Sequence, residues 1–262
     1  MEIVGYFLSI LIGVSLGLIG GGGSILTIPI VVYLFNVEPI LATSYSLFIV
    51  GISSLFGTKK HFSLGNLKIS IALYFAIPSV ISILLTRKIL IPLIPEHVFS
   101  FNQFVLTKDM LTMAVFAVLM IAASFSMIQK RIYEINEDAI ANNNQLILYG
   151  FLIGIITGFL GAGGGFLIIP VLVFFANLKM KQAVGTSLLI ITINSLLGFA
   201  GDLINNVSID WILLLSITFF AIIGIFIGAM LSKKISGEKL KPIFGWFILI
   251  MGLYILAKEI FF

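Results

Sequence analysis

The 262-residue chain contains no cysteine and is poor in charge, since only 10% of its residues are Asp, Glu, Lys or Arg. The absence of cysteine excludes disulfides, thiolate-bound metals, iron–sulfur clusters and redox relays. The low charge excludes a water-soluble globular domain, in which about a quarter of the residues are charged. The two histidines are distant in the sequence and have no carboxylate or thiolate partners nearby, so we expect no metal site and no cofactor.

Apolar residues dominate instead, at 60% of the composition and with a mean hydropathy of +1.21. Uncharged apolar runs of about 18 residues or more are typical of membrane-spanning helices. The segments without any acidic or basic residue are 3–35, 41–57, 69–86, 110–128, 146–176, 183–201, 211–231 and 243–257. The sequence therefore predicts an all-α polytopic membrane protein embedded in a lipid bilayer, with these long apolar segments forming up to about ten helices.

The second half of the chain repeats the first. Residues 12–57 pair with 153–198 without a gap, and 19 of the 46 pairs are identical, including matched proline, asparagine and serine positions. We call this alignment the repeat register. The similarity indicates an internal duplication. We expect an N-terminal transmembrane repeat over 1–128, a polar linker over 129–145 and a C-terminal transmembrane repeat over 146–262.

The first apolar segment of each repeat is too long for one straight crossing. Residues 3–35 would form a helix of about 50 Å, whereas the hydrocarbon core is about 30 Å thick. Because consecutive glycines destabilise a helix, we expect breaks at 20–24 and again at 161–165. Each broken segment is then either a kinked crossing or a hairpin that returns to its starting side.

The positions of the basic residues distinguish these two topologies. With kinked crossings the 15 Lys and Arg residues divide 9 to 6 between the two sides, and with returning hairpins they divide 11 to 4. The positive-inside rule favours the hairpins, which makes the repeats inverted and places both termini outside. The basic residues thus act as orientation signals, and we expect no nucleic-acid partner.

The two glycine clusters carry the strongest functional signal. If the two arms of each broken helix meet near the bilayer centre, unpaired N–H groups at the start of the second arm face a ligand, and such helix N-termini attract anions. The candidate substrate-binding residues are Gly20, Gly21, Gly22, Gly23 and Ser24 in the first repeat and Gly161, Gly163, Gly164 and Gly165 in the second. Helix packing is the alternative, and we expect packing for the pairs Gly13/Gly17, Gly154/Gly158 and Gly224/Gly228.

A second matched feature opens the next helix of each repeat, where hydroxyl side chains cluster. The candidates are Thr43, Ser44 and Ser46 in the first repeat and Gly185, Thr186 and Ser187 in the second. The hydroxyls either cap the helices or donate hydrogen bonds to a bound oxyanion. A polar stripe continues deeper, with Asn194 as a further candidate beside Ser53, Ser54 and Ser195.

The ends of those helices differ between the repeats. The first ends in Lys59, Lys60 and His61, which either anchor the helix at the membrane surface or form a vestibule that concentrates anions. The second ends at Asp202, which we expect to pair with a lysine or to lie solvated in a loop. Since every apolar run lacks ionisable residues, we expect no intramembrane proton relay and no catalytic apparatus. The loop 87–108 is expected to be an interfacial lid, a surface helix or a plain spacer.

The two glycine motifs, Gly17–Pro29 and Gly158–Pro170, resemble the TauE/SafE sulfite exporter family, within the toluene sulfonate uptake permease superfamily. The Ala-Thr-Ser that begins at Ala42 and the Ala-Val-Gly-Thr-Ser over Ala183–Ser187 extend the resemblance through both repeats. The resemblance implies a secondary carrier of sulfite, thiosulfate or organosulfonates. It also implies the plasma membrane of a bacterium or archaeon.

The residue chemistry and the resemblance agree on a small oxyanion. The sequence therefore predicts a transporter, not an enzyme, that binds its anionic substrate between the two glycine breaks and works by alternating access. An anion channel and a non-transporting scaffold subunit of a sulfur-metabolism complex are the alternatives. The exact substrate, the direction of transport, the coupling ion and the formation of a homo-oligomer are left open by the sequence.

Overall fold

The computed structural model describes residues 2–21, 23–101, 104–129, 143–161, 163–204, 208–232 and 237–261. Within these ranges the chain forms ten helices of ten residues or more and one short β-hairpin. The helices are α1 (Glu2–Ile19), α2 (Gly23–Phe35), α3 (Pro39–Ser63), α4 (Ile69–Leu93), α5 (Lys108–Ile128), α6 (Asn143–Leu160), α7 (Gly165–Phe174), α8 (Met180–Ile204), α9 (Trp211–Leu231) and α10 (Gly237–Phe261). The strands β1 (His97–Phe101) and β2 (Phe104–Thr107) pair antiparallel.

Six of the described helices, namely α3, α4, α5, α6, α8 and α9, are long and apolar enough to cross a membrane. The 25-residue helices α3 and α8 measure about 37 Å each, more than the roughly 30 Å of the hydrocarbon core. Large apolar side chains point away from the protein, among them Ile77 at 59% and Ile212 at 82% exposure. Such faces suit lipid, and the prediction of a polytopic helical membrane protein is confirmed.

Helices α3 and α8 are the most buried of the six spans and form the centre of the bundle. They pack against each other, α2 packs on α3, and α7 packs on α8. Helix α5 pairs with α10 beside this centre. The residues of α3 and α8 are therefore shielded by protein on most sides, where a polar side chain needs a partner or a ligand.

Each glycine-broken segment folds back on itself as a hairpin. The ring of Tyr6 near the start of α1 lies 5.2 Å from the ring of Phe35 at the end of α2. In the second repeat the ring of Tyr149 near the start of α6 lies 4.2 Å from the ring of Phe175, which follows α7. The end of each second arm thus returns to the start of the first arm, which is the geometry of the returning hairpin and not of the kinked crossing.

The helix pairs α1–α9 and α4–α6 approach so closely that their contact lines require small residues. A Cβ atom added to Gly13 would overlap the carbonyl oxygen of Ala221 in α9. One added to Gly154 would overlap the carbonyl oxygen of Ser79 in α4. The residues that meet the facing helix backbone in the same way are Gly17, Gly158, Gly224 and Gly228. The expectation that these three glycine pairs are packing contacts is confirmed.

Several backbone features recur at positions that are equivalent in the repeat register. Gly20 and Gly161 have φ values of 79° and 66°, and Asn36 and Asn177 have φ values of 53° and 50°, all in the left-handed region. The helix neighbours correspond as well, because α1 lies along α9 as α6 lies along α4. Such an exchange of equivalent neighbours is expected of two halves related by an approximate two-fold axis.

The segment 87–108 and the linker differ from their expected form. The expectation of a loop beginning at residue 87 is wrong, because α4 continues to Leu93 through a π turn at Thr86–Leu90. The β-hairpin that follows also means that the fold is not entirely α-helical. Helix α6 begins at Asn143, inside the expected linker, and residues 130–142 lie outside the described part of the chain.

Candidate anion-binding site

The two glycine breaks meet each other. A Cβ atom added to Gly165 would lie only 2.5 Å from the Cα atom of Gly21, and one added to Gly21 would overlap the carbonyl group of Gly165. Backbone therefore touches backbone, and any larger residue would push the two breaks apart. Gly22 and Ala162 lie outside the described residues.

The second break is built from left-handed backbone. Gly163 and Gly164 have φ values of 65° and 70°, a conformation that only glycine adopts without steric cost. Gly164 directly precedes α7, whose N-terminus has no side-chain cap. The first N–H groups of a helix lack intrahelical partners, and this end carries about half a positive charge. The break thus presents a positively polarised, uncapped helix end.

Helices α3 and α8 run antiparallel and bring polar residues of both repeats to the same level. Two contacts fix the register: the Ser44 hydroxyl donates to Asp202, and the Thr58 and Thr192 hydroxyl oxygens lie 3.4 Å apart. Between these contacts, near the middle of both helices, the residues that lie level with one another are Ser53, Ser54, Asn194 and Ser195.

Six buried side chains of α3, α6 and α8 have oxygen atoms without a hydrogen-bond partner among the described residues. These are the hydroxyls of Ser46, Ser53, Ser54, Thr157 and Ser195 and the amide oxygen of Asn194, and we call them the free-oxygen cluster. Each of the six residues is at most 1% exposed. A buried polar group without a partner costs about 1–3 kcal/mol, so a native cluster of them indicates a site for a ligand or for ordered water.

Two members of the free-oxygen cluster contact the second glycine break. The Ser195 hydroxyl oxygen lies 2.8 Å from the point where a Cβ atom of Gly163 would sit, and the Thr157 hydroxyl would overlap a Cβ atom of Gly164. The Asn194 side chain is held in place because its amide nitrogen donates to the Ser79 hydroxyl at 2.7 Å. The bare backbone of Gly163 and Gly164 therefore lies against two free hydroxyls.

Most of the hydroxyls predicted at the helix starts are already bonded. The Ser24, Thr43 and Ser187 hydroxyls donate to the carbonyl oxygens of Gly21, Ile40 and Val184 at 2.8, 2.7 and 2.8 Å. The Thr186 hydroxyl accepts a hydrogen bond of 3.1 Å from the Lys68 N–H group. Of the predicted residues only Ser46 and Asn194 belong to the free-oxygen cluster. Ser53, Ser54 and Ser195 belong to the polar stripe expected beside Asn194, whereas Thr157, in α6, was not singled out from the sequence.

The remaining predicted residues are divided between packing and the protein surface. A Cβ atom on Gly23 would overlap the α1 backbone, and one on Gly185 would lie 3.1 Å from the Cβ atom of His61. His61 is itself buried, and its Nδ1 atom has no partner among the described residues. Lys59 is exposed and Lys60 is half-buried. The basic trio is therefore not one surface, because its histidine lies inside the bundle.

A buried ion pair lies at one end of α3 and α8. Arg87 in α4 is 7% exposed and Asp202 in α8 is 5% exposed. The Arg87 Nε atom donates to Asp202 Oδ1 at 2.6 Å, and Nη2 donates to Oδ2. The expectation that Asp202 pairs with a lysine or lies solvated is wrong, and so is the expectation that the spans hold no ionisable residue.

The ion pair was missed because a charged residue ends an uncharged run without ending a helix. The apolar runs stop at residues 86 and 201, one residue before Arg87 and Asp202, while α4 and α8 continue beyond both. One basic and one acidic residue just past the ends of two predicted spans was the available signal, since charges at membrane depth pair with one another.

The guanidinium of Arg87 also joins helices of both repeats. Its Nη1 atom donates to the Gly158 carbonyl oxygen at 3.0 Å, in α6. Its Nη2 atom donates to the hydroxyls of Thr43 at 3.2 Å and Ser44 at 2.9 Å, in α3. We call this end of the bundle the Arg87 end and the opposite end of α3 the His61 end. Along α3 they are about 26 Å apart.

A helical bundle with buried polar side chains between its spans is an arrangement that multi-pass membrane transporters share. Residues 6–255 match the family described as sulfite exporter TauE/SafE. The chain belongs to the TauE/SafE family.

The relatives have names of the same class. A probable membrane transporter protein of Xylella fastidiosa strain Temecula1 is 27% identical, over 95% of this chain and 92% of that protein. The probable membrane transporter protein YjnA of Bacillus subtilis is 28% identical, over 94% and 96%. A probable membrane transporter protein of Methanocaldococcus jannaschii is 26% identical, over 95% of this chain and 94% of that protein. No solved structure matches the chain.

Proposed function

We propose that the chain is a secondary transporter of small sulfur-containing oxyanions, such as sulfite, thiosulfate or an organosulfonate, which bind beside the two touching glycine breaks. The observation that carries this proposal is the free-oxygen cluster. It comprises five hydroxyls and one amide oxygen, all buried, and two of the hydroxyls, those of Thr157 and Ser195, lie beside bare glycine backbone. Such a cluster is costly in an empty site and favourable around a ligand that bonds to it.

The chemistry of the cluster suits an oxyanion. Hydroxyl groups donate hydrogen bonds, and the uncapped start of α7 adds N–H groups and a partial positive charge. An anion with three oxygen atoms can accept several of these bonds at once. Neutral donors bind more weakly than a fixed cation, which suits a carrier that must release its substrate on the other side. The family description, a sulfite exporter, supports the same substrate class.

Alternating access is supported by the relation between the halves. The left-handed residues and the helix contacts that recur in the repeat register fit a duplicated chain with inverted repeats. We infer that the halves rock about the glycine breaks. A carrier is favoured over an open channel because the backbones of Gly21 and Gly165 touch, which leaves no gap between the two breaks.

The orientation follows from charge. Lys59, Lys60 and Lys68 lie at the His61 end, and Lys179 and Lys181 lie at the start of α8 on the same side. The positive-inside rule then makes this end cytoplasmic and the Arg87 end and both termini external. The membrane is the plasma membrane of a bacterium or archaeon.

Uptake of labelled sulfite into proteoliposomes tests the proposal, with and without imposed potential and pH gradients. We expect saturable, potential-sensitive uptake that sulfate, thiosulfate or methanesulfonate inhibits. Gly164→Ala should abolish uptake, because its Cβ atom would overlap the Thr157 hydroxyl within the site.

Gly65→Ala is the matched control. Gly65 has a φ value of 69°, close to the 70° of Gly164, but nothing lies within 4 Å of its Cβ position. Both variants therefore carry the same backbone strain of about 1–2 kcal/mol, and only Gly164→Ala alters the site. Wild-type uptake by Gly164→Ala would show that the glycine site is wrong. If the folded protein transports none of these anions, the proposed substrate class is wrong.

A further inference from the structure

We propose that Arg87 is a second, charged anion-binding residue, that the carboxylate of Asp202 occupies it in this conformation, and that exchange of this carboxylate for the transported oxyanion opens the Arg87 end. The proposal rests on the proposed function, since it takes the same anion as the displacing ligand.

The geometry of the ion pair is that of an oxyanion site. Arg87 presents Nε and Nη2 side by side to the two oxygen atoms of Asp202. Two parallel N–H donors match any carboxylate, sulfite or sulfonate that offers two oxygen atoms in one plane. The Ser44 hydroxyl completes the site, donating to Asp202 Oδ2 at 2.5 Å. Asp202 is therefore an internal substitute for the substrate.

The same residues hold the two halves of the chain together at this end. Arg87 in α4 and Ser44 in α3 belong to the first half, and Asp202 in α8 and Gly158 in α6 belong to the second. Access from this end requires these helices to separate. Breaking a buried ion pair with nothing in exchange is strongly unfavourable, whereas an arriving anion keeps Arg87 paired while Asp202 leaves.

Arg87 is also connected to the glycine break of the second repeat. It binds the carbonyl oxygen of Gly158, in the last turn of α6 before the break. Thr43, another of its partners, lies directly against Gly161, whose Cβ atom would lie 2.5 Å from the Thr43 carbonyl oxygen. Arg87 itself stands in the π turn Thr86–Leu90, an irregularity often found at functional sites. Movement of Arg87 is thus transmitted to the break.

The layer beneath the ion pair supplies a reporter position. Leu47 in α3 and Ile83 in α4 both pack on Gly198 in α8, at 3.1 and 3.2 Å from its Cβ position. Leu47, Ile83 and Gly198 lie one turn deeper in the bundle than Ser44, Arg87 and Asp202, respectively. Leu47 is fully buried. A reagent arriving from the Arg87 end reaches Leu47 only if the ion pair has opened.

The absence of native cysteine makes this measurable. Leu47→Cys, in an otherwise unchanged chain in proteoliposomes, is labelled with a membrane-impermeant maleimide added at the Arg87 end. Methanesulfonate serves as the anion, since it does not react with thiols or maleimides. Ser63→Cys, exposed at the His61 end, is the control for reagent and sidedness.

We expect methanesulfonate to accelerate labelling of Leu47→Cys at least about tenfold, because the anion increases the population of the open state. The same reporter combined with Arg87→Gln/Asp202→Asn, a neutral pair that lacks the guanidinium fork, should label rapidly without the anion and not respond to it. The double substitution leaves no unpaired buried charge, so the variant should fold.

Two results would overturn the proposal. One is a wild-type background in which methanesulfonate leaves the labelling rate unchanged, and the other is a double variant that still responds to the anion as the wild type does. Failure of the proposed function is read separately, as the absence of sulfite uptake, because labelling of Leu47→Cys requires opening but no net transport.

Discussion

The two ends of α3 and α8 share a backbone frame and differ in their charge. At the Arg87 end, Tyr45 accepts a hydrogen bond of 2.6 Å from the Asp210 N–H group. At the His61 end, Thr186 accepts one of 3.1 Å from the Lys68 N–H group. Tyr45 and Thr186 are equivalent in the repeat register, so each central helix holds the loop that follows the other in the same way.

The charged residues do not follow this equivalence. The repeat register, continued to the ends of the two helices, also pairs His61 with Asp202. Asp202 binds Arg87, whereas the His61 Nδ1 atom has no partner among the described residues. The two ends thus share the hydrogen bonds that hold the loops and differ in their charged groups. Each end has its loop hydrogen bond, and the Arg87 end is held in addition by an ion pair, whereas the His61 end is held by packing.

The largest expected effect is on the free energy of unfolding, which should fall more on substitution at the Arg87 end than at the His61 end. Asp202→Ala should lower the free energy of unfolding by about 3–5 kcal/mol, because it leaves Arg87 buried without its carboxylate. His61→Ala should cost only about 1–2 kcal/mol, the ordinary loss from truncating a buried side chain. Thermal unfolding of both variants in the same detergent checks this difference. Equal losses would mean that the ion pair does not hold its end.

A smaller effect tests whether the two loop hydrogen bonds, accepted by Tyr45 and Thr186, are equivalent. Tyr45→Phe and Thr186→Val each remove one hydroxyl acceptor from a loop N–H group, so each should cost about 0.5–1.5 kcal/mol. Unfolding measured as before should give losses that agree within a few tenths of a kcal/mol. A loss confined to one variant would show that the two loops are not equivalent.

The features that were predicted from the sequence depend on local chemistry. Consecutive glycines destabilise a helix, so the breaks at Gly20 and Gly161 were evident, as were the small-residue packing pairs. The unequal division of basic residues favoured the hairpins because orientation signals act loop by loop.

The features that were missed depend on tertiary structure. Whether a serine hydroxyl bonds to its own helix, as in Ser187, or stays free, as in Ser195, depends on its rotamer and neighbours. The approach of Arg87 to Asp202 joins residues far apart in the chain, and no local pattern records it. The β-hairpin after α4 lies in a stretch where the alternation of polar and apolar residues is too weak to indicate strands.

The central claim, that the free-oxygen cluster binds an anion, is tested most directly by Ser54→Ala/Ser195→Ala. Without ligand, removal of two unpartnered hydroxyls should raise the free energy of unfolding by about 1 kcal/mol or more. With sulfite, loss of two bonds to a charged ligand should raise Kd more than about tenfold, since each bond is worth about 1.5–3 kcal/mol.

The matched control is Ser9→Ala, since Ser9 is equally buried but its hydroxyl donates to the Gly5 carbonyl oxygen at 2.8 Å. Ser9→Ala should not raise the stability and should leave the Kd unchanged. Thermal unfolding of each variant across a sulfite titration gives both quantities in one measurement. Stabilisation of the ligand-free double variant together with weakened sulfite binding is the predicted result. Destabilisation of the double variant with an unchanged Kd would contradict the account.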